Sequence, residues 1–68
     1  MTGDKAKIMR DIALAKFNIS VESIKKLVVE VEREIDLCEA YDLLQELEKE
    51  VRHAKEHCSD FIDYNDAV

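Results

Sequence analysis

Apolar residues recur through the middle of the chain at Phe17, Val21, Ile24, Val28, Val31, Ile35 and Cys38, with spacings that alternate four and three. Such a row marks a helix that seats one face against another helix. Continued in the same phase it would meet Asp42, Gln45, Lys49, Arg52, Glu56 and Ser59, all of them polar. A second row begins in a different phase at Leu44 and runs through Leu47, Val51, Ala54, Cys58 and Phe61. The shift of phase between residues 36 and 43 predicts either a stutter in one long helix, from about 21 to 63, or a reversal of the chain.

Reversal is the preferred alternative. Folding back about residue 39 sets Ile35 beside Leu44, Val31 by Leu47, Val28 by Val51, Ile24 by Ala54, Val21 by Cys58 and Phe17 by Phe61. The turn then falls at Cys38-Glu39-Ala40-Tyr41, with Asp42 and Gln45 placed as a capping box for the next helix. It lacks a glycine or asparagine for a left-handed cap. Upstream the phase shifts again, to Ile8, Ile12, Ala15 and Ile19. Ser20 as a cap, an Ile19–Ile24 staple and Glu22 near the helix start mark a second junction. The expected fold is all-α: a short N-terminal helix at about 5–17 and an antiparallel helical hairpin with coiled-coil-like packing at about 21–38 and 42–63. These would make one domain over residues 1–68.

Composition supports the class and raises a stability problem. The chain has 68 residues, no proline and a single glycine, Gly3. One core of that size supplies little stability without a disulfide, a metal or oligomerisation. Leu27, Val29, Leu37, Leu43, Ile62, Met9, Ala13 and Leu14 remain outside the two rows and need cover of their own. A second copy completing a helical bundle is therefore expected, with a closed three-helix monomer as the alternative. The expected interface comprises Phe17, Val21, Ile24, Leu27, Val28, Val31, Ile35, Leu44, Leu47, Val51, Ala54, Cys58 and Phe61.

Charge and reactive residues narrow the function classes. The net charge is −6, with residues 1–27 at +3 and the remainder at −9. An acidic body repels phosphate backbones and anionic membranes, so neither is an expected partner. There is no apolar run of membrane-spanning length and no secretory leader, and an intracellular, cytoplasmic protein is expected, with Cys38 and Cys58 reduced. His53, His57 and Cys58 have loose metal-ligand spacing, but Cys58 belongs to the apolar row and His53 does not, so no metal site is expected. The carboxylates pair with bases along helix surfaces, as in Glu22 with Lys26 and Glu48 with Arg52. No phosphate loop, nucleophile elbow or HExxH pattern occurs. The expectation is a protein–protein interaction and oligomerisation module, with no enzymatic activity, catalytic residue or cofactor.

One alternative carries its own residues. Residues 13–27, Ala-Leu-Ala-Lys-Phe-Asn-Ile-Ser-Val-Glu-Ser-Ile-Lys-Lys-Leu, resemble the turn and second helix of a helix-turn-helix DNA-binding unit. That resemblance implies Val21, Glu22, Lys25 and Lys26 facing the DNA groove, with the C-terminal helix serving dimerisation. The turn lacks the glycine common in such units, and no helix braces the pair from the N-terminal side.

Overall fold

The computed structural model describes residues 2–68 and contains two helices, α1 (Thr2–Arg33) and α2 (Leu37–Asp66), packed against each other as a hairpin. The molecule is a rod of 54 × 14 × 11 Å. All-helical architecture and chain reversal follow the sequence expectation, whereas the separate helix at 5–17 does not exist. Residues 17–21 lie within α1, and Ser20 is buried in the seam instead of capping a helix. The helical cost of Asn18 and Ser20 is a few tenths of a kcal/mol each. That is too little to interrupt a helix whose packed face continues on both sides.

The reversal falls earlier than residue 39, at Glu34-Ile35-Asp36. Asp36 has extended backbone angles, φ −84° and ψ 117°, and its carboxylate caps α2 by accepting from the Cys38 N–H at 2.8 Å. Glu34 Oε1 accepts from the N–H groups of both Ile35 and Asp36, each at 3.1 Å. Two carboxylates thus satisfy the amides that a helix start leaves open, and a negative charge there suits the helix dipole. Because no described residue has positive φ, the turn needs no glycine. Asp42 and Gln45, expected as the capping box, lie inside α2, where the Gln45 amide donates to the Tyr41 hydroxyl at 3.3 Å. The Asp36-x-x-Glu39 spacing was an equally good cap signal two turns earlier.

Shifting the turn changes the seam. The shielded positions along the seam are Ala6, Arg10, Ala13, Phe17, Ser20, Ile24, Leu27 and Val31 on α1, Glu34 in the turn, and Ala40, Leu43, Leu47, Glu50, Ala54, His57, Phe61 and Tyr64 on α2, with Met9, Val21, Ser23 and His53 half-buried beside them. Both sets follow heptad spacing, with a positions at Phe17, Ile24 and Val31 and at Ala40, Leu47, Ala54 and Phe61. The d positions include Ser20, Leu27, Leu43 and His57. Counted outward from residue 37 the sets coincide level by level, Val31 with Leu43, Leu27 with Leu47, Ser20 with Ala54 and Phe17 with His57. The Arg10 guanidinium, donating to the Asn65 side-chain oxygen at 3.2 Å, ties the two helices together near the open end.

The most buried of the described positions are all small: Ala6, Ala13, Ser20, Ala40 and Ala54. Small seam residues let two helices approach at the near end of the usual range of about 8–10 Å. Replacing Asp36 with alanine is expected to cost about 1 kcal/mol in a urea melt, and the same change at Asp42 to cost much less. Equal losses would place the turn where the Asp42–Gln45 box put it.

Candidate interaction surface

The heptad decides what each flank of the hairpin presents. In an antiparallel helix pair the e positions of both helices lie on one side of the seam and the g positions on the other. The structure shows this directly, since Met9 and Lys16, both g on α1, line one groove with Asp60, a g residue of α2.

The two flanks differ in chemistry. On the g side stand Met9, Lys16, Ser23 and Glu30 of α1 with Glu39, Glu46, His53 and Asp60 of α2. Water solvates such a face well. On the e side stand Leu14, Val21 and Val28 of α1, Ile35 of the turn, and Leu44, Val51 and Cys58 of α2. This apolar stripe follows the rod from its tip for most of its length. Ile35 is 94% exposed, while Leu14, Val28, Leu44 and Val51 are between 37% and 45% exposed. Leu44 and Val51 line a shallow groove with Leu47, rimmed by Glu48, Arg52 and Lys55.

The expected interface set is therefore divided. Phe17, Ile24, Leu27, Val31, Leu47, Ala54 and Phe61 belong to the seam inside the hairpin, whereas Val28, Ile35, Leu44, Val51 and Cys58 lie outside it on the e flank. Val21 is half-buried at the boundary. The expected pairings of Val28 with Val51 and Ile35 with Leu44 do not form the hairpin core. Each helix is turned by roughly 50° about its axis relative to that scheme, at about 100° per residue. The reason is that alanine is a weak signal in a hydrophobic pattern. The row Ala6, Arg10, Ala13, Phe17 extends the true seam upstream without an interruption, but its small residues read as background.

Other candidates lose their geometry. Val21, Glu22, Lys25 and Lys26 lie mid-way along a continuous helix, so the turn that the helix-turn-helix likeness requires at 18–20 is absent. Among the described residues no group of three His, Cys, Asp or Glu side chains is arranged to hold a metal, and Cys58 is on the opposite flank from His53. Both cysteines are free and exposed. No described helix is long and apolar enough to cross a membrane.

The chain is thus a hairpin with an open apolar flank on its e side, while Ile8, Ile12, Ile19 and Val29 are exposed elsewhere on α1. No protein-family model, no curated protein and no solved structure matches it. What the surface can do must come from its own chemistry, which is apolar and elongated.

Ala54 tests the seam itself. Ala54→Leu places extra methylenes at a position 7% exposed, at the level of Ser20, and is expected to lower stability by about 1–3 kcal/mol through overpacking. A stabilising effect in a thermal melt would show that the helices do not approach closely there.

Proposed function

We propose that this chain is a helical protein–protein interaction and oligomerisation module that acts through its e flank and has no catalytic role. The carrying observation is the continuity of that flank, where seven apolar side chains from both helices and the turn form one stripe while the opposite flank is polar. Helices with apolar a, d and e positions, about three in seven, belong to bundles; a two-stranded seam needs only a and d.

Burial supports the same reading. Among the described residues no large side chain is fully buried, and the buried core consists of alanines and one serine. A free-standing domain ordinarily sequesters several large aliphatic side chains, because only those return enough free energy to offset the chain entropy lost on folding. Covering the e flank with further helices would place Phe17, Ile24, Val31, Leu47 and Phe61 in a dry interior. The simplest partner is a second copy, which makes the assembled state a helical bundle, and another helical protein fills the same role chemically.

Charges on the flank test this without touching the seam. The double variant Val28→Asp/Val51→Asp is expected to abolish self-association at micromolar concentration in light scattering, since two carboxylates would be desolvated without partners. Glu46→Lys, on the exposed g flank away from the stripe, should leave association within about threefold. Association of Val28→Asp/Val51→Asp at wild-type strength would remove the flank as the partner surface.

A further inference from the structure

We propose that the flank is covered by a second copy of this chain lying side by side with the first, both turns at the same end, so that α1 of each copy packs on α2 of the other and Lys25 meets the partner's Glu48. This rests on the reading of the e flank as the partner surface, and specifies its occupant and orientation.

The angles select a two-helix occupant. With a at 0°, position d stands at about −60° and e at about +40° around the helix. The intrahairpin contact is centred between a and d, whereas from Leu14 to Ile35 and from Ala40 to Phe61 the wholly apolar rows are a and e, so the apolar centre of those stretches points roughly 50° away from the neighbouring helix. In a square of four helices the direction to the middle of the bundle stands about 45° from the direction to each neighbour, and in a triangle about 30°. The hairpin is thus shaped as half of a square, and a second hairpin supplies the other half.

The surface area agrees. The chain exposes 5390 Å², against about 4,400 Å² for a compact monomer of its mass. The surplus, about 1,000 Å², is what one partner contributes to a stable interface of ordinary size.

Orientation follows from charge. Helix α1 carries seven basic and five acidic residues, α2 three basic and nine acidic. Two two-fold arrangements bring the e flanks face to face. With the turns at opposite ends, α2 packs on the acidic α2 of the partner, and the axis crosses α1 midway between Leu14 and Ile35, bringing Lys25 close to the partner's Lys25. With the turns at one end, α1 packs on the partner's α2. A two-fold axis along the rod keeps every residue at its own level. Val28 then stands at the level of the partner's Leu44, and Val21 at that of the partner's Val51, in each case within two residues of equal distance from residue 37. At the rim, Lys25 is twelve residues before residue 37 and Glu48 eleven after it, both at b positions beside the e stripe. Within its own chain the Lys25 ammonium reaches only Glu22, at 3.4 Å on the exposed surface, and is free to exchange that contact.

Sedimentation equilibrium and circular-dichroism melts of the full chain at low salt, with Lys25→Glu, Glu48→Lys and the double swap, test the arrangement. Each single reversal places two like-charge contacts in the dimer and should weaken self-association about tenfold. The double swap should return it to within about threefold of wild type. That rescue would not follow from loss of the Glu22 contact alone. A dimer in which the swap fails to rescue overturns the side-by-side orientation. A monomer that melts without cooperativity overturns self-docking while leaving the flank in need of a different helical partner. A monomer that melts cooperatively at every concentration overturns both this inference and the flank reading beneath it.

Discussion

Two helices meet along a line, and a line of contact shields only a narrow arc of each. The main features of this chain follow from the mismatch between that arc and the apolar arc of its helices, which is centred on positions a and e with d mixed. The hairpin buries the d and a rows and leaves e in solvent, so the fold that the chain reaches alone is incomplete by one row on each helix. Extending the helices would not mend this, because length adds more of all three rows.

The composition of the seam reflects the same constraint. Its d rows hold Ser20 on α1, Glu34 in the turn, and Glu50 and His57 on α2, whereas its a rows are apolar from Phe17 to Val31 and from Ala40 to Phe61. Polar side chains are tolerable at d because that row borders the hydrated g flank, and long side chains there can carry their charged ends outward past the seam. The a row has no such exit if the e flank is covered. A gradient therefore runs across each helix, from polar at g through mixed at d to apolar at a and e. That gradient points to the centre of a bundle and not to the neighbouring helix.

Helical content and chain reversal were legible in the sequence, because they depend on periodicity and on the absence of glycine and proline, whereas the residues expected to need a second surface include Ala13, Leu27 and Leu43 of the seam. The position of the turn and the phase of the seam were not. The rows Phe17-Val21-Ile24-Val28-Val31-Ile35 and Leu44-Leu47-Val51-Ala54-Cys58-Phe61 maximise hydrophobicity, and that is the direction of the most apolar line, which coincides with the hairpin contact only if two helices are the whole assembly. Ala6, Ala13 and Ala40 are decisive in the structure for the opposite reason, since small size and not hydrophobicity qualifies them for close helix approach. The junction expected at Ser20 has a different origin: Ile8, Ile12, Ala15 and Ile19 lie on the far face of α1, away from the seam, so the row they form changes face without ending the helix. The cap signal at Asp36 was visible but competed with an equally well-formed one at Asp42. What separates them is Glu34, whose carboxylate binds two turn amides in a geometry that no spacing rule encodes.

Hydrophobic burial drives assembly without choosing its direction, because it depends on area and hardly on arrangement. On this hairpin the e stripes of the two helices are near mirror images about their midpoints, so both two-fold arrangements bury comparable apolar surface. Discrimination must come from groups whose interaction changes sign between arrangements, and charge is the only such property distributed unequally between α1 and α2. Rim charges contribute little to affinity but penalise a wrong register when like meets like. In the proposed dimer the separation of a basic α1 from an acidic α2 would therefore supply orientation control over an apolar surface that has none of its own.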